Sequence, residues 1–172
     1  MQKSTLSTSS RQVLQKILAY FARTTIRKYK PIIIGITGSV GKTSTRDAIF
    51  AVLKKRYRVR TAEKNYNNEI GLPLTILGIH HCGRDVFGWL SALIRVYLRR
   101  HKGYPEVLIL EYGVDRPGDM DYLLWIAKPN ITVVTAIGDV PAHVEFFKDP
   151  EELIAEKAKL VQVLPRDGYA VL

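Results

Sequence analysis

The sequence predicts an α/β fold: a P-loop-containing, mostly parallel sheet with helices on both faces, preceded by a basic amphipathic helix. Three observations predict it. Short apolar runs rich in Ile, Val and Leu alternate with stretches of helical periodicity. Those runs are continuous rather than alternating, as strands covered on both faces require. A glycine-bearing loop, "GSVGKT", joins the first run to the helix that follows it.

Taken in order, residues 1–30 are a polar tail leading into a basic helix. Ser9 and Gln12 have capping-box spacing, and Val13, Leu14, Ile17, Leu18 and Phe21 keep a helical apolar face. That face suits either docking on the rest of the protein or peripheral contact with an anionic membrane surface through residues 10–30. From Pro31 the pattern is strand, loop, helix: "PIIIGIT", then "STRDAIFAVLKKR". "EVLILEYG" and "NITVVTAIG" read as further strands, with "GDMDYLLWIAKP" between them as a helix stopped by Pro129. Asp149, Pro150 and Glu152 open another helix, and "GYAVL" is the next strand. "NYNNEIGLPLTILG" resists assignment. In "DVFGWLSALIRVYLRRHKGYP", Val86, Leu90, Leu93, Ile94, Tyr97 and Leu98 have helical spacing, with Arg95, Arg99 and Arg100 outside it. The expected organisation is a basic tail and helix over 1–30 and a nucleotide-binding domain over 31–172. The chain stops at Leu172 inside a strand pattern, so a fragment of a longer protein is expected.

The net charge of +10 is unevenly spread. Residues 1–46 hold nine Lys/Arg and no acid, 47–105 hold eleven against four, and 106–172 hold six against twelve. The acidic C-terminal third and the lack of a reading motif argue against nucleic acid as a partner. A single cysteine, Cys82, excludes an intramolecular disulfide framework, and a cytoplasmic protein is expected.

Gly38-Ser39-Val40-Gly41-Lys42-Thr43 follows a strand and opens a helix, the context a phosphate-binding loop needs. Glycines let backbone N–H groups turn inward, and a helix N-terminus favours an anion. Lys42 would reach the outer phosphates and Thr43 would offer a hydroxyl to Mg²⁺. The loop lacks the first glycine of the longer GxxxxGK[ST] pattern, where Ile36 stands. Glu111 ends the strand "EVLIL" and His143 follows the next strand, so three strand ends would bring a phosphate loop, a carboxylate and an imidazole to one edge. On a helical wheel Lys157 falls with Leu153, Ile154, Leu160, Val161 and Leu164, whereas Lys159 points away. An inward lysine needs modification or a carboxylate partner.

With these motifs assembled, the sequence resembles the central ATP-binding domain of the Mur ligases, in the branch that adds D-alanyl-D-alanine to a UDP-N-acetylmuramoyl tripeptide. The resemblance runs from about Pro31 to Leu172 on "GITGSVGKTS", "NYNNEIGLPLTIL", "LILEYGVDRPGDMDYL", "AHVEFF" and "LIAEKAKL". It implies that Lys42 and the amides of Gly38, Ser39, Val40, Gly41, Thr43 and Ser44 hold ATP, with Asn68 lining the nucleotide site. It implies Mg²⁺ on Thr43 and Glu111, a second Mg²⁺ near His143, and a carbamylated lysine as a further metal ligand. Lys157 and Lys159 compete for that last role, and the wheel favours Lys157. The implied reaction is ATP-driven amide formation through an acyl phosphate, joining a carboxylate such as a UDP-MurNAc-peptide to an amine such as D-Ala-D-Ala, in a monomer. Polyglutamate- and cyanophycin-type ligases share this chemistry, and a non-catalytic, membrane-associated nucleotide-binding module is the reading from a different class. The family's UDP-sugar domain has no counterpart before the loop, and "TAIGDVPAH" lacks the asparagine common after that strand. The 172-residue chain alone is expected to be inactive.

Overall fold

The structure is a computed structural model that describes residues 8–62, 66–83, 85–98, 103–136 and 146–172. Five strands are described: β1 (Ile32–Thr37), β2 (Val59–Thr61), β3 (Val107–Glu111), β4 (Ile131–Val134) and β5 (Tyr169–Val171). Every described pairing is parallel, in the order β2-β3-β1-β4-β5. Six helices accompany them: α1 (Thr8–Tyr29), α2 (Lys42–Leu53), α3 (Gly71–Leu77), α4 (Val86–Leu98), α5 (Asp119–Ile126) and α6 (Pro150–Gln162).

The strand pleat sorts side chains into two cores. Ile34, Ile36, Val107 and Ile109 face α2, where Ile49, Phe50 and Leu53 cover them. Ile33, Leu108, Leu110 and Tyr112 face the opposite layer of α1, α3, α5 and α6. Helices therefore cover both faces of the central strands β1 and β3, whose apolar runs are continuous because neither face meets water there, while the edge strand β5 is exposed. β1 sits centrally, between β3 in register Ile34↔Ile109 and β4 in register Ile36↔Val133. The chain crosses to β2 and β3 on one side of β1 and then to β4 on the other. This reversal of direction is where such sheets open a crevice at their carboxyl ends.

α6 starts as its sequence requires. Asp149 caps it by accepting from the Glu152 N–H at 2.8 Å, and Pro150 occupies the first helical position. The Glu152 carboxylate reaches back to the Lys148 N–H at 2.7 Å, one residue beyond the N-cap N–H that a reciprocal capping box would use.

Two helices bury different faces from those expected. α1 is already helical at Thr8, ahead of the Ser9 cap, and its buried line is Leu18, Ala19, Ala22 and Thr25. Val13 and Ile17 are exposed. The small residues allow α1 to lie close against α3 and α5. Arg11 pairs with Glu69 at 3.1 Å, and the Arg23 guanidinium stacks on the Trp125 ring while donating to the Trp125 carbonyl. In α4 the inward side chains are Trp89 and Ala92, with Leu93 and Val96 packed beside them, while Leu90, Ile94 and Leu98 face solvent. Tryptophan carries more apolar area than any leucine and claims the core side.

The unassigned "GLPLTIL" is α3, and all seven of its residues are buried. β2 is a three-residue edge strand that the sequence reading did not include. Among the described residues no helix is long and apolar enough to cross a membrane.

Candidate functional site: the crevice at the ends of β1 and β3

β1 ends at Thr37, whose hydroxyl donates to the Tyr112 carbonyl at 3.1 Å. Its carbonyl accepts from the Thr135 N–H at 2.8 Å and the Thr135 hydroxyl at 3.1 Å, so the exits of β1, β3 and β4 are tied together. Directly after this knot the chain turns at Gly38, with φ of 140°, and Gly41, with φ of 86°. A Cβ on Gly38 would overlap the Thr135 hydroxyl and come within 2.9 Å of its carbonyl oxygen, so residue and conformation both demand glycine. Gly41 is the N-cap of α2 and offers no side-chain cap. The N–H groups of Lys42, Thr43 and Ser44 in the first turn thus have no intrahelical acceptor. The Ser39 and Val40 amides instead donate to the Ala136 carbonyl at 3.0 and 3.2 Å.

Two lysines converge on this loop. Lys42 Nζ donates to the Gly38 carbonyl at 2.7 Å and more weakly to the Ser39 carbonyl at 3.3 Å. Lys157 Nζ donates to the Ser39 hydroxyl at 3.0 Å from the buried side of α6. Burial lowers the pKa of Lys42, against the opposing pull of Glu111 and Asp115. Burial, with the neighbouring Lys42 charge, brings Lys157 down to about 8. Lys159 faces out and pairs with Asp121 at 2.8 Å and Glu156 at 2.7 Å, bonds that raise its pKa.

Glu111 is buried at the end of β3. One of its oxygens lies 3.5 Å from the Thr43 hydroxyl, and the other faces the buried Arg46 guanidinium at 2.9 Å without an aligned hydrogen bond. Arg46 is shared with Asp47 at 2.8 Å. A hydroxyl and a carboxylate beside an open helix N-terminus form the sparse, hard-oxygen set that suits Mg²⁺ when phosphates and waters complete its shell. Among the described residues no three His, Cys, Asp or Glu side chains gather at one point.

Past the exit of β3 lies a cleft of about 190 Å³ lined by Gln15, Asn68, Glu69, Gly113, Asp115 and Asp119, with no residue of the glycine loop in its wall. Asn68 is on this wall, with its side-chain oxygen accepting from the Gly71 and Ile70 N–H groups at 3.0 and 3.3 Å. That turn starts α3, so the residue anchors backbone as well as lining the cleft. The Asn67 carbonyl accepts from Gly113 at 2.9 Å, which fastens the "NN" turn to the exit of β3. Ser44 is exposed on the first turn of α2. His143 lies outside the described residues. Arg46 and Asp115 are additions to the expected residues. Arg46 was within reach of the sequence, because it stands one helical turn beyond Thr43 and must share that face.

A parallel sheet whose glycine loop, basic side chains and carboxylate meet at the strand ends has the arrangement that suits an anionic ligand. The chain belongs to the Mur ligase middle domain family, which it matches over residues 36–87 and 92–172. It is 31% identical over 154 residues to the UDP-N-acetylmuramoyl-tripeptide–D-alanyl-D-alanine ligase of Bacillus subtilis, covering 90% of this chain and 28% of that one. The enzyme of the same name from Borreliella burgdorferi is 34% identical over 146 residues, covering 85% of this chain and 26% of that one. The crystal structure of the MurF ligase of Thermotoga maritima in complex with ADP superposes with a TM-score of 0.70 at 30% identity, covering 91% of this chain and 31% of the other. The chain thus spans less than a third of the length of these relatives.

Proposed function

We propose that this chain is the ATP-binding core of an ATP-dependent acid–amino-acid ligase that forms an amide bond in peptidoglycan precursor synthesis. Residues 31–172 carry the nucleotide site, and α1 contributes Leu18, Ala19 and Ala22 to the core beneath it. The protein works as a cytoplasmic monomer. The observation that carries this reading is the convergence of Lys42, Lys157, Thr43 and Glu111 on one glycine loop at the helix mouth.

In this reading the free first-turn amides of α2 and Lys42 hold the ATP phosphates, and Asn68 lines the nucleotide side of the cleft. Lys42 must leave the Gly38 carbonyl to do so, and its lowered pKa reflects the burial that an incoming phosphate would offset. Thr43 and Glu111 would hold Mg²⁺, which when bound neutralises phosphate charge; His143 would belong to a second such site. A substrate carboxylate attacks the γ-phosphorus, the bond to ADP breaks, and an acyl phosphate forms. The amine then attacks the acyl carbon and inorganic phosphate leaves. A UDP-MurNAc-peptide and D-Ala-D-Ala are the proposed pair. Both steps rest on alignment and charge neutralisation rather than on a protein nucleophile.

Lys157 suits carbamylation. With a pKa of about 8 its amine is about half neutral at pH 8, against about 0.3% for an ordinary lysine. The neutral nitrogen adds to CO₂, loses a proton and becomes an anionic carbamate facing the loop.

Calorimetric titration of the 172-residue chain with ADP tests the reading. Binding should require Mg²⁺ and weaken at least about tenfold in Lys42→Ala, the loss expected of one charge-assisted contact. Binding of equal strength in the variant, or none with Mg²⁺ present, removes the proposal.

A further inference from the structure

α4 presents a stripe that no described residue covers. Phe87 is 82% exposed, Leu90 55%, Ile94 48% and Leu98 67%, and their three- and four-residue spacing puts them in one row along the helix. The opposite face is fixed on the protein by Trp89 and Ala92, and the Trp89 ring N–H donates to the Gly83 carbonyl at 3.2 Å. The stripe is therefore held outward by a packed inner face. Four adjacent large apolar side chains on one exposed helix face are more than scattered surface residues and mark a contact surface.

Charge selects what that surface touches. Arg95 is exposed within the helix, and the sequence flanking it supplies Arg84, Arg99, Arg100 and Lys102 against the single acid Asp85. A second copy would bring the same positive charge against itself, on a chain that already carries +10. An apolar row with the exposed Arg95 beside it, in a basic stretch of sequence and on a helix too short to span a bilayer, has the composition of a helix that lies in a lipid interface.

We propose that the exposed face of α4, through Phe87, Leu90, Ile94 and Leu98 with Arg95 beside them, docks this domain on an anionic lipid surface. The apolar row enters the headgroup boundary while the Arg95 stem reaches toward phosphate. This assignment is independent of the nucleotide site and concerns a different helix from α1.

The test is co-sedimentation of the 172-residue chain with vesicles of phosphatidylcholine alone or mixed with phosphatidylglycerol. Binding is expected only with phosphatidylglycerol, and should fall when salt rises from about 0.1 M to about 1 M and the screening length shrinks from about 10 Å to about 3 Å. The double variant Leu90→Ser/Ile94→Ser, folded by circular dichroism because both side chains are exposed, should lose at least about tenfold in partitioning. Arg95→Glu should weaken binding at low salt and match the parent at high salt. The pair Val13→Ser/Ile17→Ser on α1 should leave binding unchanged. Equal partitioning onto neutral vesicles, loss caused by the α1 pair instead, or a dimer in sedimentation velocity that the α4 double variant abolishes without any vesicle binding would each overturn the proposal.

Discussion

At the level of single residues, the least replaceable contact in the crevice is the buried pair of Arg46 and Glu111, 2.9 Å apart. The two partners are not equivalent, because Arg46 also holds Asp47, while among the described residues the Glu111 carboxylate is in contact with Arg46 and the Thr43 hydroxyl and feels Lys42 at longer range. Arg46→Met therefore strands a buried carboxylate and should cost about 3–5 kcal/mol in urea unfolding, whereas Glu111→Gln should cost distinctly less. Equal losses would show that Asp47 does not compensate. Lys157 makes a prediction about pH. Its folded pKa of about 8 lies below the ordinary 10.5, so the unfolded chain binds this proton more tightly. Burial of the ammonium then costs stability most fully below pH 8, and the cost fades as pH rises toward 10.5. Lys157→Met removes it, so the variant's stability relative to the parent should be highest near pH 7 and decline across that window by on the order of 2–3 kcal/mol. A difference that does not change with pH would mean that the ammonium is not buried in solution. The inward direction of Lys157 was legible from the sequence, since apolar neighbours on one helical arc define a face. The helical spacing places Arg46 on the same face as Thr43, but its pairing with Glu111 joins α2 to β3 and no local pattern shows it.

For whole elements, legibility followed how much local chemistry each one carries. β1, β3, β4 and α6 announce themselves through β-branched runs or a full set of capping residues, and they lie where the sequence put them. α3 hides its helix behind Pro73, which is tolerated because it falls in the first turn and needs no N–H partner there. β2 has only Val59, Arg60 and Thr61, and forms because β3 offers it an edge in register Val59↔Val107. Apolar periodicity located α1 and α4 but misjudged which way they face, because small residues in α1 and Trp89 in α4 decide the packing. The glycine loop also belongs at this scale. Gly38→Ala must fit a Cβ against both the side chain and the backbone of Thr135, while Gly41→Ala meets nothing nearer than 3.8 Å and faces only its positive φ. The Gly41 change should cost about 1–2 kcal/mol, the ordinary penalty for an alanine in that region, and Gly38→Ala should cost clearly more. Thermal unfolding of the two variants decides it, and a larger loss at Gly41 would contradict the packing of the loop on β4.

The whole molecule turns on whether α1 is part of the domain or an appendage. Sequence division at Pro31 treats it as separate, yet Leu18, Ala19 and Ala22 belong to the same apolar cluster as Leu72, Leu110 and Tyr112, and Gln15 stands on the wall of the cleft. Without α1, the outer side of α3 would meet water along a helix whose every residue is now buried. Leu18→Ala should therefore destabilise the protein by about 2–5 kcal/mol, as truncation in a packed core does, while Ile17→Ala, one residue away on the exposed side, should change it by less than about 1 kcal/mol. Leu18 and Ile17 differ mainly in which way they face, so the contrast reads the docking of α1 directly. A chain begun at Pro31 should in turn bind a fluorescent apolar dye and unfold without a sharp transition. If it unfolds as cooperatively as the 172-residue chain, α1 is an accessory laid on a complete domain and its buried face contributes little to the fold.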